Sequence, residues 1–438
     1  MGKKFVVPVF IVCILLITAL YQASAQHQPT ITKQSIDPSA NAGWEEVGIG
    51  SAAGGGISNN AGKSAWPSMF IDDYDDVFVS WNDDTTGVDQ IYLLRWNGAW
   101  WGEYGGASAS GGGVSNNVGK SVAPDVTIGP FRDGVCVAWR DWSSGYAETY
   151  FDCTFFGNGE WNGGMNGGGI SNQQGESLSF PSAVYTGNTH PIPFVAWNES
   201  DGNDQEIYLY SIVWGEGSYV TNLSNNSGDS WSPSVIPGTI AWHDHSNNEN
   251  AAEIYIRRYN GDEIGQNSAS DGGISNTPGQ SGSPSLVANN YNQLFVAWED
   301  NTNGNYEIYV RHWNGYQWSE LGTGSASGGG ISNNPGDSLR PRVALDPDGI
   351  PYVAWYDNSS GNYEIYARRW NGLTWEEVGY GSATGGGISN NAGASGYLDL
   401  AIDSNGIPYV AWDDDSNGNQ EIYVRRYSGQ SPPTPTNT

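Results

Sequence analysis

The sequence has few basic residues: 17 Lys and Arg stand against 47 Asp and Glu, for a formal net charge of −30. A field of that sign repels nucleic acid and anionic lipid, because proteins bind both through basic patches. We therefore expect no nucleic-acid partner and no membrane insertion of the mature chain. The charge is compatible with neutral glycans, cations or basic proteins, and equally with a simple role in solubility.

Cysteine is scarce too, with three residues in 438. No CxxC, HExxH, P-loop or Ser-His-Asp order occurs, so the sequence carries none of the corresponding redox, metalloprotease, nucleotide or triad signatures. Cys13 lies in an N-terminal apolar run, which leaves Cys136 and Cys153 on either side of a predicted hairpin. Their spacing places them directly opposite each other, and an exported context favours a disulfide over two buried thiols.

Only one long apolar run occurs, at residues 5–20, after Lys3 and Lys4 and before the small residues Ala23-Ser24-Ala25. This arrangement predicts a signal peptide at 1–25. The alternative is an uncleaved membrane anchor, for which the run is short. We expect a secreted or cell-surface protein, with a linker at 26–43 and a Pro/Thr-rich tail at 428–438, which is either a terminus or a connector.

What the sequence does contain is one unit repeated seven times. A tryptophan within a short apolar segment marks each copy: Trp81, Trp139, Trp197, Trp242, Trp298, Trp355 and Trp412. A Gly-rich signature resembling GGGISNN precedes or follows each one. Self-similarity at a fixed period indicates a repeat architecture.

The sixth copy shows how one unit folds. It predicts strands at 341–346, 351–357 and 363–370 and the start of a fourth at 374–379, separated by turn residues. Four short strands without helical periodicity favour an antiparallel propeller blade. The first recognisable piece, Trp44–Gly48, is a lone fourth strand, and the last copy lacks one. We therefore predict an all-β, seven-bladed propeller at 44–427, of four-stranded blades, closed by the N-terminal strand.

Acidic residues recur at two positions of the repeat. The first lies two residues after the tryptophan and the second seven residues later, where the first copy has Gln90. In the sixth copy this spacing places Asp357 opposite Glu364 on one face of the hairpin. The candidate binding residues of this pattern are Asp83, Asp141, Glu148, Glu199, Glu206, Asp300, Glu307, Asp357, Glu364, Asp414 and Glu421.

Directly opposed carboxylates are unfavourable, so something must relieve the pair. In one interpretation the Asp accepts N–H groups of its own turn and the Glu bonds a neighbouring blade. In the other, Ca²⁺ bridges Asp357 and Glu364, and the equivalent pairs, with turn carbonyls completing an oxygen shell. Sevenfold recurrence favours the structural interpretation, since catalytic sites are rarely repeated in this way.

The Gly-rich connections and the turns after the tryptophan strands emerge on one face of a propeller. There the asparagines Asn60, Asn117, Asn334 and Asn391 lie beside aromatic residues. Amides, hydroxyls and flexible backbone suit the hydroxyls of neutral sugars. The alternative is that Ile or Val of each connection packs between blades while Ser and Asn cap turns.

The fourth copy departs from the others. The interval from Trp197 to Trp242 is shorter than the other five, and the acid that should follow Asp244 is displaced to Glu253. Asp244 and Glu253 are therefore the place to look for a unique catalytic pair. His243 and His245 could bind zinc, but a lengthened turn also collects polar residues.

The run at 332–369, SNNPGDSLRPRVALDPDGIPYVAWYDNSSGNYEIYARR, resembles the repeat of TolB-type (PD40) propellers. Its VAW-x-D and G-N-x-E-I-Y segments are also similar to repeats of sialidase-like (BNR, Asp-box) propellers. The resemblance spans 44–427 and implies a propeller. No sialidase catalytic residue carries over, because an Arg-Ile-Pro motif near the N-terminus is missing and the arginines occupy repeated strand positions.

Three functions fit these observations. The first is an exported, non-catalytic binding propeller, expected to be monomeric, that takes a glycan or an extracellular protein. The second is a structural module of a surface assembly, with the tail as connector. The third is a glycoside hydrolase or sialidase-like enzyme, which needs one unique acid pair at a separation of about 5–10 Å.

Overall fold

The computed structural model describes residues 43–128, 134–154, 161, 169–171, 176–178, 180–186, 192–213, 217–247 and 251–430. The predicted signal peptide and most of the predicted linker and tail lie outside these ranges. The described residues form strands, turns and connections without any helix, so none of them forms a helix that could cross a membrane.

The strands group into seven antiparallel sheets in chain order. Blade one contains β2 (Ser64–Ile71), β3 (Val77–Asp83), β4 (Gln90–Trp96) and β5 (Trp101–Glu103). Blade two contains β6 (Ser121–Ile128), β7 (Val135–Asp141) and β8 (Glu148–Thr154). Blade three contains β9 (Ser182–Thr186), β10 (Ile192–Ser200), β11 (Gln205–Val213) and β12 (Gly217–Asn222). Blade four contains β13 (Ser230–Ile236), β14 (Thr239–Asp244) and β15 (Glu253–Arg258). Blade five contains β16 (Ser281–Ala288), β17 (Leu294–Asp300), β18 (Glu307–Trp313) and β19 (Trp318–Glu320). Blade six contains β20 (Ser338–Leu345), β21 (Pro351–Asp357), β22 (Glu364–Trp370) and β23 (Trp375–Glu377). Blade seven contains β24 (Ser395–Ile402), β25 (Pro408–Asp414), β26 (Glu421–Gln430) and β1 (Gly43–Glu46).

The predicted closure of the ring is confirmed. Strand β1 pairs antiparallel with β26, with Trp44 opposite Tyr427 and Glu46 opposite Arg425. The indole N–H of Trp44 donates to the carbonyl of Val378 in blade six at 3.0 Å. A strand from the start of the chain therefore covers the outer edge of the last blade, which would otherwise be an unpaired sheet edge.

The core lies between blades, because each blade buries both faces against its neighbours. The repeat tryptophans are all buried, and Trp412 packs with Ala354 and Ile365 of the preceding blade. Strand β21 is buried along nearly its whole length. This explains why the tryptophan strands read as continuous apolar runs rather than alternating ones.

Besides the packing between blades, polar contacts join the innermost strands of neighbouring blades around the propeller axis. At six junctions a side chain of the innermost strand accepts a backbone N–H from the innermost strand of the next blade: Ser68, Asp125, Ser182, Ser234, Ser285 and Asp399. At the seventh junction Arg342 replaces the acceptor and lies 3.5 Å from Asp399.

Blade four differs from the four-stranded prediction. Its described residues contain three strands, and a single bridge between Arg257 and Glu263 stands in the place of the fourth. The segment Asn260–Ile264 has no counterpart of the tryptophan that begins β5, β19 and β23. Without that ring to pack against the preceding blade, the strand does not extend. In blade two, most of the predicted fourth strand lies outside the described residues.

Candidate functional site

The predicted register of the acid pairs is confirmed. Asp357 lies opposite Glu364, and the same pairing joins the corresponding residues of the other six hairpins. The carboxylates are buried in every blade. They therefore do not form an open acidic surface, and their partners must come from the chain itself.

Those partners are supplied by the Gly-rich connection between blades. The backbone N–H of Asn391 donates to Glu364 of blade six at 3.2 Å, and its side-chain amide donates to Asp414 of blade seven at 2.8 Å. Ser389 donates to the other oxygen of Glu364 at 2.5 Å. Asp414 also accepts the N–H of Ser416 in its own turn. One asparagine thus ties the acids of two neighbouring blades together.

The same position forms this bridge at five further junctions. It is occupied by Asn60 (Glu421 to Asp83), Asn117 (Gln90 to Asp141), Asn226 (Glu206 to Asp244), Thr277 (Glu253 to Asp300) and Asn334 (Glu307 to Asp357). We call this set of contacts the inter-blade bridge. Ile388 and its equivalents pack in the core beside it, as one of the two interpretations of these connections expected.

The bridge also explains how opposed carboxylates coexist. Burial raises the pKa of the glutamates Glu148, Glu206, Glu307, Glu364 and Glu421, and that of Glu253 to about 7, while the donated hydrogen bonds partly lower it. The pair is thus relieved by the hydrogen bonds that both carboxylates accept.

The described residues contain one cluster of three side chains with metal-ligand geometry. Carboxylate oxygens of Asp201, Asp204 and Glu206 in blade three lie within 4.8 Å of one another. Of the acids proposed from the sequence as Ca²⁺ ligands, only Glu206 belongs to it. The oxygens of Asp357 and Glu364 instead accept hydrogen bonds from Ser338, Asn334, Ser389 and Asn391.

Cys136 lies opposite Cys153 in the predicted register, and the two sulfurs are bonded. In blade four, His243 and His245 lie edge to face with ring centroids 5.9 Å apart. Burial lowers the pKa of His243 to about 3, so its ring is neutral. Asp244 and Glu253 both belong to the inter-blade bridge.

A different set of residues varies from blade to blade. The residue after each repeat tryptophan changes in chemistry: Asn82, Arg140, Asn198, His243, Glu299, Tyr356 and Asp413. In β-structure this side chain points away from the face that carries the tryptophan and the bridge acid. Sequence reasoning singled out only His243 among these positions, although an alignment of the seven copies shows that they vary while their neighbours do not.

The second varying position lies at a bulge in each innermost strand. Among the described residues, the pairing of the innermost strand with its neighbour shifts register at this point in every blade except blade three. Five bulge residues have positive φ without being glycine: Trp66, Ala123, Ser232, Ser283 and Arg340. A bulge re-aims its side chain. The innermost strands of all blades line one cavity of about 370 Å³, so these residues gather around the propeller axis.

Three aromatic rings and one arginine meet there. The ring of Trp66 lies edge to face with Phe180 and Tyr397 at 5.4 and 5.6 Å. The guanidinium of Arg340 lies 5.2 Å from the centroid of Phe180 and 4.4 Å from that of Tyr397. Contacts of this kind contribute roughly 0.5–2 kcal/mol each. We call these four residues, from blades one, three, six and seven, the axial cluster.

Buried acids anchor the backbone of the axial cluster. Glu299 accepts the N–H of Arg340 at 2.6 Å, and Asp413 accepts the N–H of Trp66 at 2.9 Å. Burial raises the pKa of Glu299, and it raises that of Asp413 to about 7. Both acids are residues that follow a repeat tryptophan. The two varying positions therefore depend on each other.

A pocket of about 400 Å³ opens beside the axial cluster between blades six and seven. Three tyrosines line it: Tyr356, Tyr363 and Tyr397. Tyr356 lies edge to face with Tyr363 at 5.3 Å and within 6.4 Å of Tyr397. The polar lining consists of Lys63, Ser395, Asp413, Asp415, Asn419 and Gln420. We call this the tyrosine pocket, and it combines apolar ring surface with a few convergent polar groups.

The fold defines the chain as a seven-bladed β-propeller. No protein-family model matches it, and no curated protein does. Similar solved structures include a protein of unknown function from Dyadobacter fermentans (TM-score 0.47, 10% identity, 84% of this chain and 95% of that one). Another is one of two prolyl endopeptidases (TM-score 0.46, 10% identity, 95% of this chain and 52% of that one). A third is the Hadza microbial sialidase Hz136 (TM-score 0.39, 13% identity, 83% of this chain and 65% of that one).

The neighbours thus include sialidase and glycosidase propellers, but similarity at this level describes the fold alone. The assignment to TolB-type or sialidase-like repeats remains a prediction from the sequence.

Proposed function

We propose that this protein is an exported, non-catalytic binding propeller that holds a neutral glycan in the tyrosine pocket. The observation that carries the proposal is that three residues at varying repeat positions, Tyr356, Tyr397 and Asp413, line one pocket together with a third tyrosine, Tyr363. Repeated residues maintain the propeller, whereas residues that differ between blades are free to suit a ligand. Aromatic faces with amide and carboxylate groups fit the apolar faces and hydroxyls of a sugar.

Two further features support an extracellular ligand. The N-terminal leader pattern and the disulfide of blade two suit an oxidising compartment outside the cytoplasm. The net charge of −30 disfavours polyanions, so a neutral glycan is a better partner than a nucleic acid.

The test is a calorimetric titration of the wild-type protein with cellohexaose, xylohexaose and maltohexaose. We expect one or more of them to bind, and Tyr363→Ala to weaken binding by about tenfold or more, as loss of a central aromatic contact does. Tyr316→Ala is the matched control, because Tyr316 is 90% exposed on a turn and does not line the pocket. Failure of wild type to bind any oligosaccharide, or equal binding by both variants, would contradict the proposal.

One observation favours a second candidate, glycoside hydrolysis. The tyrosine pocket contains two carboxyl groups, Asp413 and Asp415, and the raised pKa of Asp413 leaves it a proton to donate near neutral pH. A hydrolase would release reducing ends from a bound oligosaccharide, and Asp413→Asn would stop the release while binding persisted. A binding protein releases none, so the same samples distinguish the two functions.

A further inference from the structure

The first part of the connection between blades is missing after blade three. In blade six, residues 378–387 lie between β23 and Ile388, whereas Asn222, the last residue of β12, directly precedes Leu223. The two positions are equivalent, because the N–H of Leu223 donates to the carbonyl of Ile207 at 2.7 Å and that of Ile388 to Ile365 at 2.6 Å. This deletion accounts for the short interval between the third and fourth tryptophans.

At other junctions the connection covers the end of the next blade's third strand. Gly322 approaches the ring of Trp370 so closely that an added Cβ would lie 2.5 Å from it, and Gly48 and Gly265 meet Trp96 and Trp313 in the same way. The fourth strand covers the region from the other side. There the indole N–H of Trp375 donates to the carbonyl of Leu321 in the preceding blade at 2.9 Å.

Blade four lacks both covers. Tyr259 occupies the position of Trp370. The connection from blade three has no loop equivalent to residues 378–387, and among the described residues no fourth strand follows Tyr259. The cavity at this place has a volume of about 550 Å³, compared with about 380 Å³ at the equivalent place in blade six. Its floor is formed by Tyr255, Arg257 and Tyr259, alternate residues that share one face of the chain.

The walls of this blade-four cleft are lined by amide and hydroxyl groups. They come from Asn222, Asn225, Asn247, Asn260 and Ser270. Asn225, Asn247 and Asn260 are exposed to solvent. The cleft therefore offers hydrogen-bonding side chains beside the half-buried ring of Tyr259, without the buried acid pairs of the bridge.

Two alternatives for the ligand are disfavoured. A peptide cannot add as a strand, because the N–H groups of the outer edge of β15 already donate within the chain: Ile254 to Ser275, Ile256 to Ser268 and Arg258 to Asp262. An anion is not the favoured ligand either. The guanidinium of Arg257 donates to the carbonyl of Leu223 at 2.7 Å, as Arg311 does to Ile274, and Asp271 also lines the cleft.

We propose that the blade-four cleft is a second binding site, for a neutral saccharide unit. None of its lining residues lines the tyrosine pocket, so each site can be tested independently of the other. A propeller with both sites contacts a glycan chain, or two chains, at two places, and the second contact adds avidity.

The experiment restores the missing connection. Residues 378–387 are grafted between Asn222 and Leu223, and the variant is titrated with the same three oligosaccharides. A matched control carries the same insertion after Asp348, an exposed residue in a turn of blade six. We expect the graft to reduce the stoichiometry from two sites to one, and the control to leave it at two. Tyr363→Ala combined with the graft abolishes binding.

A second variant guards against misfolding of the graft. Asn225→Ala with Asn247→Ala changes two exposed side chains, and we expect it to weaken the cleft site alone. Unchanged stoichiometry and affinity in this variant and in a folded graft would overturn the proposal, as would a wild-type protein with one site that only Tyr363→Ala removes. A single site that only the graft removes would support the cleft and contradict the tyrosine pocket.

Discussion

Asp357 shows what a single residue of the inter-blade bridge contributes. Its carboxylate accepts hydrogen bonds from Asn334 at 2.6 Å, Ser338 at 2.6 Å, the indole of Trp355 at 3.1 Å and the N–H of Ser359 at 2.8 Å. All four donors are close to a fully buried acid. Removal of the Asp357 carboxylate leaves these four donors without their acceptor.

We therefore expect Asp357→Ala to lower the free energy of unfolding by roughly 2–4 kcal/mol, because unsatisfied buried donors are costly. Urea unfolding measures this. Asp348→Ala, an exposed change in the same blade, should stay within about 0.5 kcal/mol of wild type. If the two variants unfolded alike, the bridge would not be a source of stability.

Asp413 makes stability depend on pH in an unusual direction. Its pKa is about 7 in the folded protein, against 3.8 as the ordinary value, so the folded state binds the proton more tightly. Its contribution to stability is therefore complete below about pH 4 and is lost as pH rises to about 7, at up to roughly 1.4 kcal/mol per pH unit.

The wild-type Tm should therefore fall between about pH 5 and pH 8, and Asp413→Asn should fall less steeply. Thermal unfolding monitored by circular dichroism checks this. Glu253, whose pKa is also raised to about 7 by burial, keeps part of the slope in the variant. Parallel Tm curves for the two proteins would show that Asp413 does not titrate in this range.

At the scale of elements, the strands themselves were predictable. The repeat placed β21 at its observed bounds, and its spacing gave the register of Asp357 with Glu364. The predicted first strand at 341–346 starts too late, because β20 begins at Ser338 before the bulge at Arg340 and Pro341. A proline suggested the start of a strand, whereas the structure accommodates it within one.

The candidate site was much harder to predict from the sequence, for a physical reason. Trp66, Phe180, Arg340 and Tyr397 belong to four blades and meet only when the ring closes. A bulge in the strands of three of these residues turns the side chain away from the alternation that a strand pattern assumes. The acids and asparagines were conspicuous because they repeat. Their repetition reflects their place in the inter-blade bridge.

At the scale of the whole molecule, closure places the start of the chain beside the proposed binding site. Strand β1 completes blade seven, and the connection that follows it bridges blade seven to blade one through Asn60. Tyr397 and Asp413 of blade seven line the tyrosine pocket, and Lys63 of blade one lines it as well. The pocket therefore requires a closed ring.

The most direct test of the proposed binding function is a crystal structure of the protein soaked with the oligosaccharide that titrates most tightly. We predict sugar density against Tyr356, Tyr363 and Tyr397, with hydroxyls in hydrogen-bond distance of Asp413 or Gln420. Density confined to the blade-four cleft would locate binding away from the axis. An empty tyrosine pocket at saturating ligand would contradict the claim that the varying residues of the repeat form the binding site.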